Sequence, residues 1–232
     1  MPPMTRILLE ACVDSPASAR DAVAAGADRV ELCGPGDGGT TPSQALVEVC
    51  AATLPVPVHV MIRPHTHHFR VDREWGAIMR RDLFLARRAG ASGVVLGAIT
   101  ASGELDTETL SHCLDAADGM PVVFHRAFDR LAEPERALDQ FAAMGVHAVL
   151  TSGGATRAVD AAERLGRWQR QVGDALVIMA GGGVRAHAFA PLLEQARLRA
   201  LHAAATTRAP FASLVEAVRA LEASEAGTTA RA

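Results

Sequence analysis

A chain of 232 residues with 49% hydrophobic side chains can bury a sizeable core, and this length suits a small barrel without inserted domains. The formal net charge of −3 comes from interspersed acidic and basic residues, so no basic stripe is available to neutralise a nucleic-acid backbone, and no apolar run reaches the ~18 residues of a membrane span. All 23 basic residues are arginine, because the chain contains no lysine, which excludes lysine Schiff-base chemistry and lysine-anchored pyridoxal phosphate.

Residues 1–10 lack the charged, apolar and small-residue sections of a signal peptide. The four cysteines lack Cys-x-x-Cys spacing, and in the cytoplasm, where the protein is expected, they are thiols. Along the chain, eight short apolar runs at 7–13, 29–33, 57–64, 93–99, 121–128, 147–153, 175–183 and 200–206 read as strands. Helix signals follow each run. Asp14 or Ser15 caps 16–26, and Thr41-Pro42 opens a helix to about Thr53, with Thr41 or Ser43 able to cap it. Further helices are predicted at 72–89, 107–117, 134–144, 156–171, 185–196 and 210–223. A strand feeding a helix and then a parallel strand, eight times over, predicts an α/β protein with a single-domain (β/α)8 TIM barrel over residues 1–225 and a disordered tail over 226–232.

Parallel strands direct their C-terminal ends to one rim, which gathers Glu10, Cys12, Glu31, Cys33, His59, Arg63, His125, Ser152, Gly181 and His202 around one mouth. Side chains alternate along a strand, so Glu10 and Cys12 share a face, as do Glu31 and Cys33, and as do His59, Met61 and Arg63. Thiolate, thioether and imidazole suit Cu(I) or Zn(II), so Cys12, Cys33, Met61 and His59 are candidate metal ligands; otherwise they fill the barrel interior. Cys50 and Cys113 fall in helices, where a small buried apolar residue explains them.

Glu10 and Glu31 are a candidate acid/base pair, or are held structurally by Arg63 or another arginine. His125, in Phe124-His125-Arg126-Ala127-Phe128-Asp129, is a candidate general base or anion ligand, or a core histidine with a hydrogen-bond partner. Alternation puts Asp129 on the face of His125 and directs Arg126 outward. Arg63 offers a planar fork to a carboxylate or phosphate, and Gly181, Gly182 and Gly183 either expose N–H groups to an anion before a helix or form a tight turn. Ser152 and His202 complete the candidate substrate-binding set. His65, His67 and His68 either recruit a metal or form a solvated loop.

Taken together, Leu9-Glu10-Ala11-Cys12-Val13-Asp14-Ser15, Gly26-Ala27-Asp28-Arg29-Val30-Glu31-Leu32-Cys33, Gly38-Gly39-Thr40-Thr41-Pro42-Ser43, Met61-Ile62-Arg63-Pro64, the His125 motif, Leu150-Thr151-Ser152-Gly153 and Gly181-Gly182-Gly183-Val184 resemble the CutC copper homeostasis family over nearly the whole chain. The resemblance implies a cytoplasmic, homo-oligomeric barrel that binds Cu(I) at Cys12 and Cys33. The chain departs from the family pattern after Pro64, where His65-Thr66-His67-His68-Phe69 stands in place of an Arg-Gly-Gly-Asp-Phe-like segment. Two other readings stand beside copper binding. One is an enzyme that moves a proton on a small anionic or sugar-like substrate held by Arg63; the other is a structural or interaction protein whose mouth is paired internally.

Overall fold

The computed structural model describes residues 6–36 and 39–229. Its elements run β1 (Leu8–Val13), α1 (Pro16–Ala24), β2 (Arg29–Leu32), α2 (Gln44–Thr53), β3 (Val58–Met61), α3 (Arg73–Arg88), β4 (Gly93–Leu96), α4 (Thr107–Ala117), β5 (Val122–Phe124), α5 (Pro134–Met144), β6 (Ala148–Thr151), α6 (Ala162–Val172), β7 (Val177–Gly181), α7 (Ala190–Glu194), β8 (Ala200–Ala204) and α8 (Arg208–Thr229). All eight strands are parallel, and β1 pairs with both β2 and β8, closing a (β/α)8 barrel. The C-terminal helix continues past Glu225 to Thr229, and residues 230–232 of the expected tail lie outside the described residues.

Strand alternation divides the core in two. Residues such as Leu9, Val30, Val60, Val94, Phe124, Val149, Ile178 and Leu201 face outward and join the helices in one large cluster. The inward set is smaller: Cys33, Met61, Val95, Val123, Ala148, Leu150, Met179 and Ala200, with Leu8 and Cys12 packed against it. The barrel interior is therefore filled by side chains below the rim. Cys50 and Cys113 lie buried in α2 and α4, within the outer cluster.

Several boundaries differ from expectation for local reasons. The fifth strand ends at Phe124, because the His125 side chain accepts the Ala127 N–H and starts a 3-10 turn over Arg126–Arg130. Helix α2 begins at Gln44 with Ser43 as its cap; Thr41 instead takes the Arg63 N–H on its Oγ1 at 2.9 Å and gives its own N–H to the Arg63 carbonyl. The segment 156–171 opens with a 3-10 turn at Ala158–Ala161 before α6. The helix expected over 185–196 shrinks to Ala190–Glu194. Pro191 cannot sit in a helix interior without losing a hydrogen bond and clashing with the preceding turn, so it falls in the first turn and sets the start.

Candidate functional site

Strands β1, β2 and β8 bring six ionisable side chains together inside the mouth. Glu10 and Glu31 are almost completely buried. Arg29 Nε donates to Glu10 Oε2 at 2.6 Å, and His202 Nδ1 donates to Glu10 Oε1 at 2.8 Å. His202 Nε2 stands 3.7 Å from Glu31 Oε2, and the Cys33 thiol donates to the same oxygen at 3.7 Å. Cys12 Sγ and Cys33 Sγ are 3.9 Å apart. The register explains this convergence, since Glu10 lies level with Arg29 on one side and His202 on the other, and Cys12 lies level with Glu31.

The two carboxyls are driven apart electrostatically. Burial raises the pKa of both. At Glu10 it is outweighed by the Arg29 charge and the His202 hydrogen bond, which hold the carboxylate low and ionised. At Glu31 burial dominates over the opposing His202 charge, and the nearby Cys12 and Glu10 add to it, so this carboxyl sits well above the usual range. Burial works against the charged form of His202, but Glu31 and the hydrogen bonds to Cys12 and Glu10 raise it above an ordinary imidazole. Cys12 is pushed up by its hydrogen bond to Cys33 and by burial.

Two triads have ligand atoms all within 4.8 Å of one another: Cys12, Glu31 and Cys33, and Glu10, Glu31 and His202. Glu31 Oε1 is buried without a hydrogen-bond partner among the described residues. Two sulfurs and an orphaned carboxyl oxygen converging in an enclosed mouth fit a soft metal ion. Of the four expected ligands, Met61 lies beside the pair: a Cβ added at Gly39 would meet Cys33 Sγ at 3.5 Å and Met61 Cε at 3.6 Å. His59 is level with Glu31 on β2 and Gly93 on β4, belongs to neither triad, and has its Nδ1 buried without a partner among the described residues. Burial, and then the Arg29 charge, bring His59 down to about 4.

Arg63 extends from the end of β3. Its Nη2 donates to the Thr66 carbonyl at 2.9 Å, and its guanidinium lies 4.6 Å from the centroid of the Phe69 ring. The Phe69 ring in turn packs against His125, with centroids 5.0 Å apart. Ser152 is placed elsewhere. Its hydroxyl donates to the Ala155 carbonyl at 2.6 Å and receives Arg126 Nη2 at 2.9 Å, while Asp129 accepts its N–H and the Thr151 hydroxyl. Arg126 and Asp129 thus clamp the ends of β5 and β6, a role that simple alternation hid because the chain leaves the strand after Phe124. Gly181 ends β7 and Gly182 and Gly183 follow it, four strands around the ring of eight from Arg63 at the end of β3. Gly182 and Gly183 have φ of +108° and +66° and pack against Arg126 and Arg157; α7 starts only at Ala190. His65, His67 and His68 stack loosely, with His65 also against Trp75, and join none of the ligand triads.

Arg29 is the residue of this site that the sequence reading passed over. The period of two on β2 places it on the face of Glu31 and Cys33, and that was its signal.

The closed barrel and its acidic, thiol-bearing mouth define a (β/α)8 protein equipped for a soft metal ion or for proton transfer. A family model described as the CutC family matches residues 7–207, and the chain belongs to that family. A CutC family protein of Caulobacter vibrioides is 42% identical over 198 residues, covering 85% of this chain and 80% of the relative. The human copper homeostasis protein cutC homolog is 38% identical over 199 residues, covering 85% and 73%. The solved CutC structure from Streptococcus agalactiae superposes with a TM-score of 0.81 at 28% identity, over 87% of this chain and 99% of that one.

Proposed function

We propose that this chain serves copper homeostasis in the cytoplasm by binding Cu(I) at the C-terminal mouth of its barrel, with Cys12 and Cys33 as principal ligands. The carrying observation is the 3.9 Å separation of the two sulfurs, with Glu31 closing the set. Cu(I) prefers soft thiolate donors, and both thiols must lose their protons to bind it. Met61 is placed to add a thioether, whereas His59 joins neither triad. Among the described residues no helix is long and apolar enough to cross a membrane. We read the protein as a homo-oligomer, supported by the exposed Val49, Ile78 and Phe84 on the neighbouring helices α2 and α3.

Competition titration under reducing conditions tests the assignment. The Cys12→Ser/Cys33→Ser variant is expected to lose on the order of a hundredfold in Cu(I) affinity, about 2.7 kcal/mol, while Cys50→Ser and Cys113→Ser bind as the wild type does. Equal affinity in the double variant overturns it.

A second reading has its own support. One carboxylate held ionised and one carboxyl held protonated in the same enclosed site is the arrangement of an acid/base pair, which favours an enzyme acting on a small anionic or sugar-like substrate through Glu10 and Glu31. The partnerless Glu31 Oε1 favours either ligand reading over a structural barrel with an internally paired mouth. Mass spectrometry of whatever co-purifies without added metal separates copper carrier from small-molecule enzyme.

A further inference from the structure

The wall of the mouth opposite β1 holds a donor with no acceptor among the described residues. His125, just after β5, is 4% exposed, and its Nε2 is enclosed without a hydrogen-bond partner among those residues. Its Nδ1 accepts the Ala127 N–H at 3.2 Å. A neutral imidazole that accepts at one nitrogen carries its proton on the other, so the turn after β5 fixes His125 as the Nε2–H tautomer. Burial, and then the neighbouring Arg63 charge, hold its pKa down at about 3. A ring held this way is a standing N–H donor.

An enclosed donor without an acceptor is costly, which suggests that its acceptor arrives with a ligand. Two aromatic rings lie against the imidazole. Phe124 belongs to β5 and is fully buried, with its centroid at 6.0 Å. Phe69, at 5.0 Å, sits on the loop after β3, where Thr66, His67, His68 and Arg70 are all exposed. Phe69 is therefore the ring that can swing away. Beside it is a small pocket lined by Arg63, His65, Phe69, Trp75 and Gly97 among others. Gly97, which lines that pocket, also lies against the imidazole, since a Cβ there would stand 2.5 Å from His125 Cε1 and Nδ1.

We propose that His125 Nε2–H and the Arg63 guanidinium form a subsite for the carboxylate of a small molecule, with Phe69 as its movable cover. The guanidinium fork matches a planar carboxylate, and a neutral His125 leaves Arg63 as the one positive charge of the pair, which suits a monoanion. The proposal deepens the small-molecule reading of the mouth and rests on it. It makes His125 a ligand donor and not the general base that its position at a strand end suggests.

Histidine-selective 15N NMR of the full chain, with acetate as the probe, tests this. His125 is expected to carry its proton on Nε2 between pH 5 and 8, and acetate to shift that resonance saturably. Phe69→Ala, which removes the cover, should tighten acetate by about tenfold, and Arg63→Gln should weaken it by about tenfold, each equivalent to about 1.4 kcal/mol. A proton on Nδ1, or no His125 shift with acetate in Phe69→Ala, overturns the subsite whether or not Arg63→Gln folds. Acetate that binds without moving His125 also overturns it, yet leaves the small-molecule reading standing. If acetate does move His125 but the wild-type protein captures no metabolite, that reading fails and the subsite remains as an anion site.

Discussion

His59 and His125 show how burial at single residues is tied to pH. Burial dominates both shifts, to about 4 and about 3 respectively. Each ring is neutral in the folded barrel and titrates near the ordinary histidine value of about 6.5 in the unfolded chain, so below that pH the unfolded chain binds protons that the folded one does not. The contribution of each ring to stability is thus fully present above about 6.5 and is lost as pH falls toward its folded pKa. The slope is at most about 1.4 kcal/mol per pH unit for each histidine. Urea denaturation at pH 7, 6 and 5 is expected to show a shallower acid decline in His59→Gln and in His125→Gln than in the wild type. Parallel declines in all three proteins would show that these rings are not held neutral.

At the scale of elements, close approach between neighbouring helices overrides helix propensity. Gly166 lies in the middle of α6, where alanine ordinarily gains about 1 kcal/mol over glycine. Here a Cβ would stand 2.9 Å from the Ala196 Cα and 3.3 Å from its carbonyl oxygen, both backbone atoms just beyond α7 that cannot rotate aside. Overpacking of that kind costs about 1 to 3 kcal/mol, so Gly166→Ala is expected to be destabilising on balance. A chemical denaturation midpoint above that of the wild type would show that α7 yields instead. The shortness of α7 belongs to the same region: with Pro191 in its first turn, the crossover from β7 to β8 is mostly loop.

For the whole molecule, closure of the barrel is secured where the last helix returns to the first strand. Arg219 of α8 donates to the Ile7 carbonyl at 2.9 Å, to Glu222 at 2.9 Å and to Asp28 at 2.5 Å. Asp28 also accepts the Leu9 N–H at 2.8 Å, and Glu222 accepts the Ile7 N–H at 2.5 Å. One guanidinium therefore ties α8, β1 and the start of β2 across the seam between β8 and β1. Charged hydrogen bonds of this half-buried kind contribute about 1.5 to 3 kcal/mol, and Arg219→Ala is expected to lower stability by about that amount in urea titration. A loss below about 0.5 kcal/mol would place the closure in the apolar contacts of α8 alone.

The alternation of eight apolar runs with helical segments was enough to determine the (β/α)8 barrel, because strand and helix periods are local properties of the chain. The same period of two placed Glu10, Cys12, Glu31 and Cys33 on the inward face, and it contained, unread, the inward position of Arg29. Register across strands is another matter. That Cys12 stands level with Glu31, that Glu10 meets Arg29 and His202 rather than Arg63, and that His59 joins neither ligand triad depend on the stagger of a closed sheet, which no single strand encodes. Departure from regular structure likewise emerged only in three dimensions: His125 bonds its own turn, Asp129 reaches across to the end of β6, and Gly182, just after β7, packs against Ser152 and Arg126. Side-chain hydrogen bonds to distant backbone have no signature in sequence spacing, and those bonds decide which polar groups in the mouth are satisfied and which are left for a ligand.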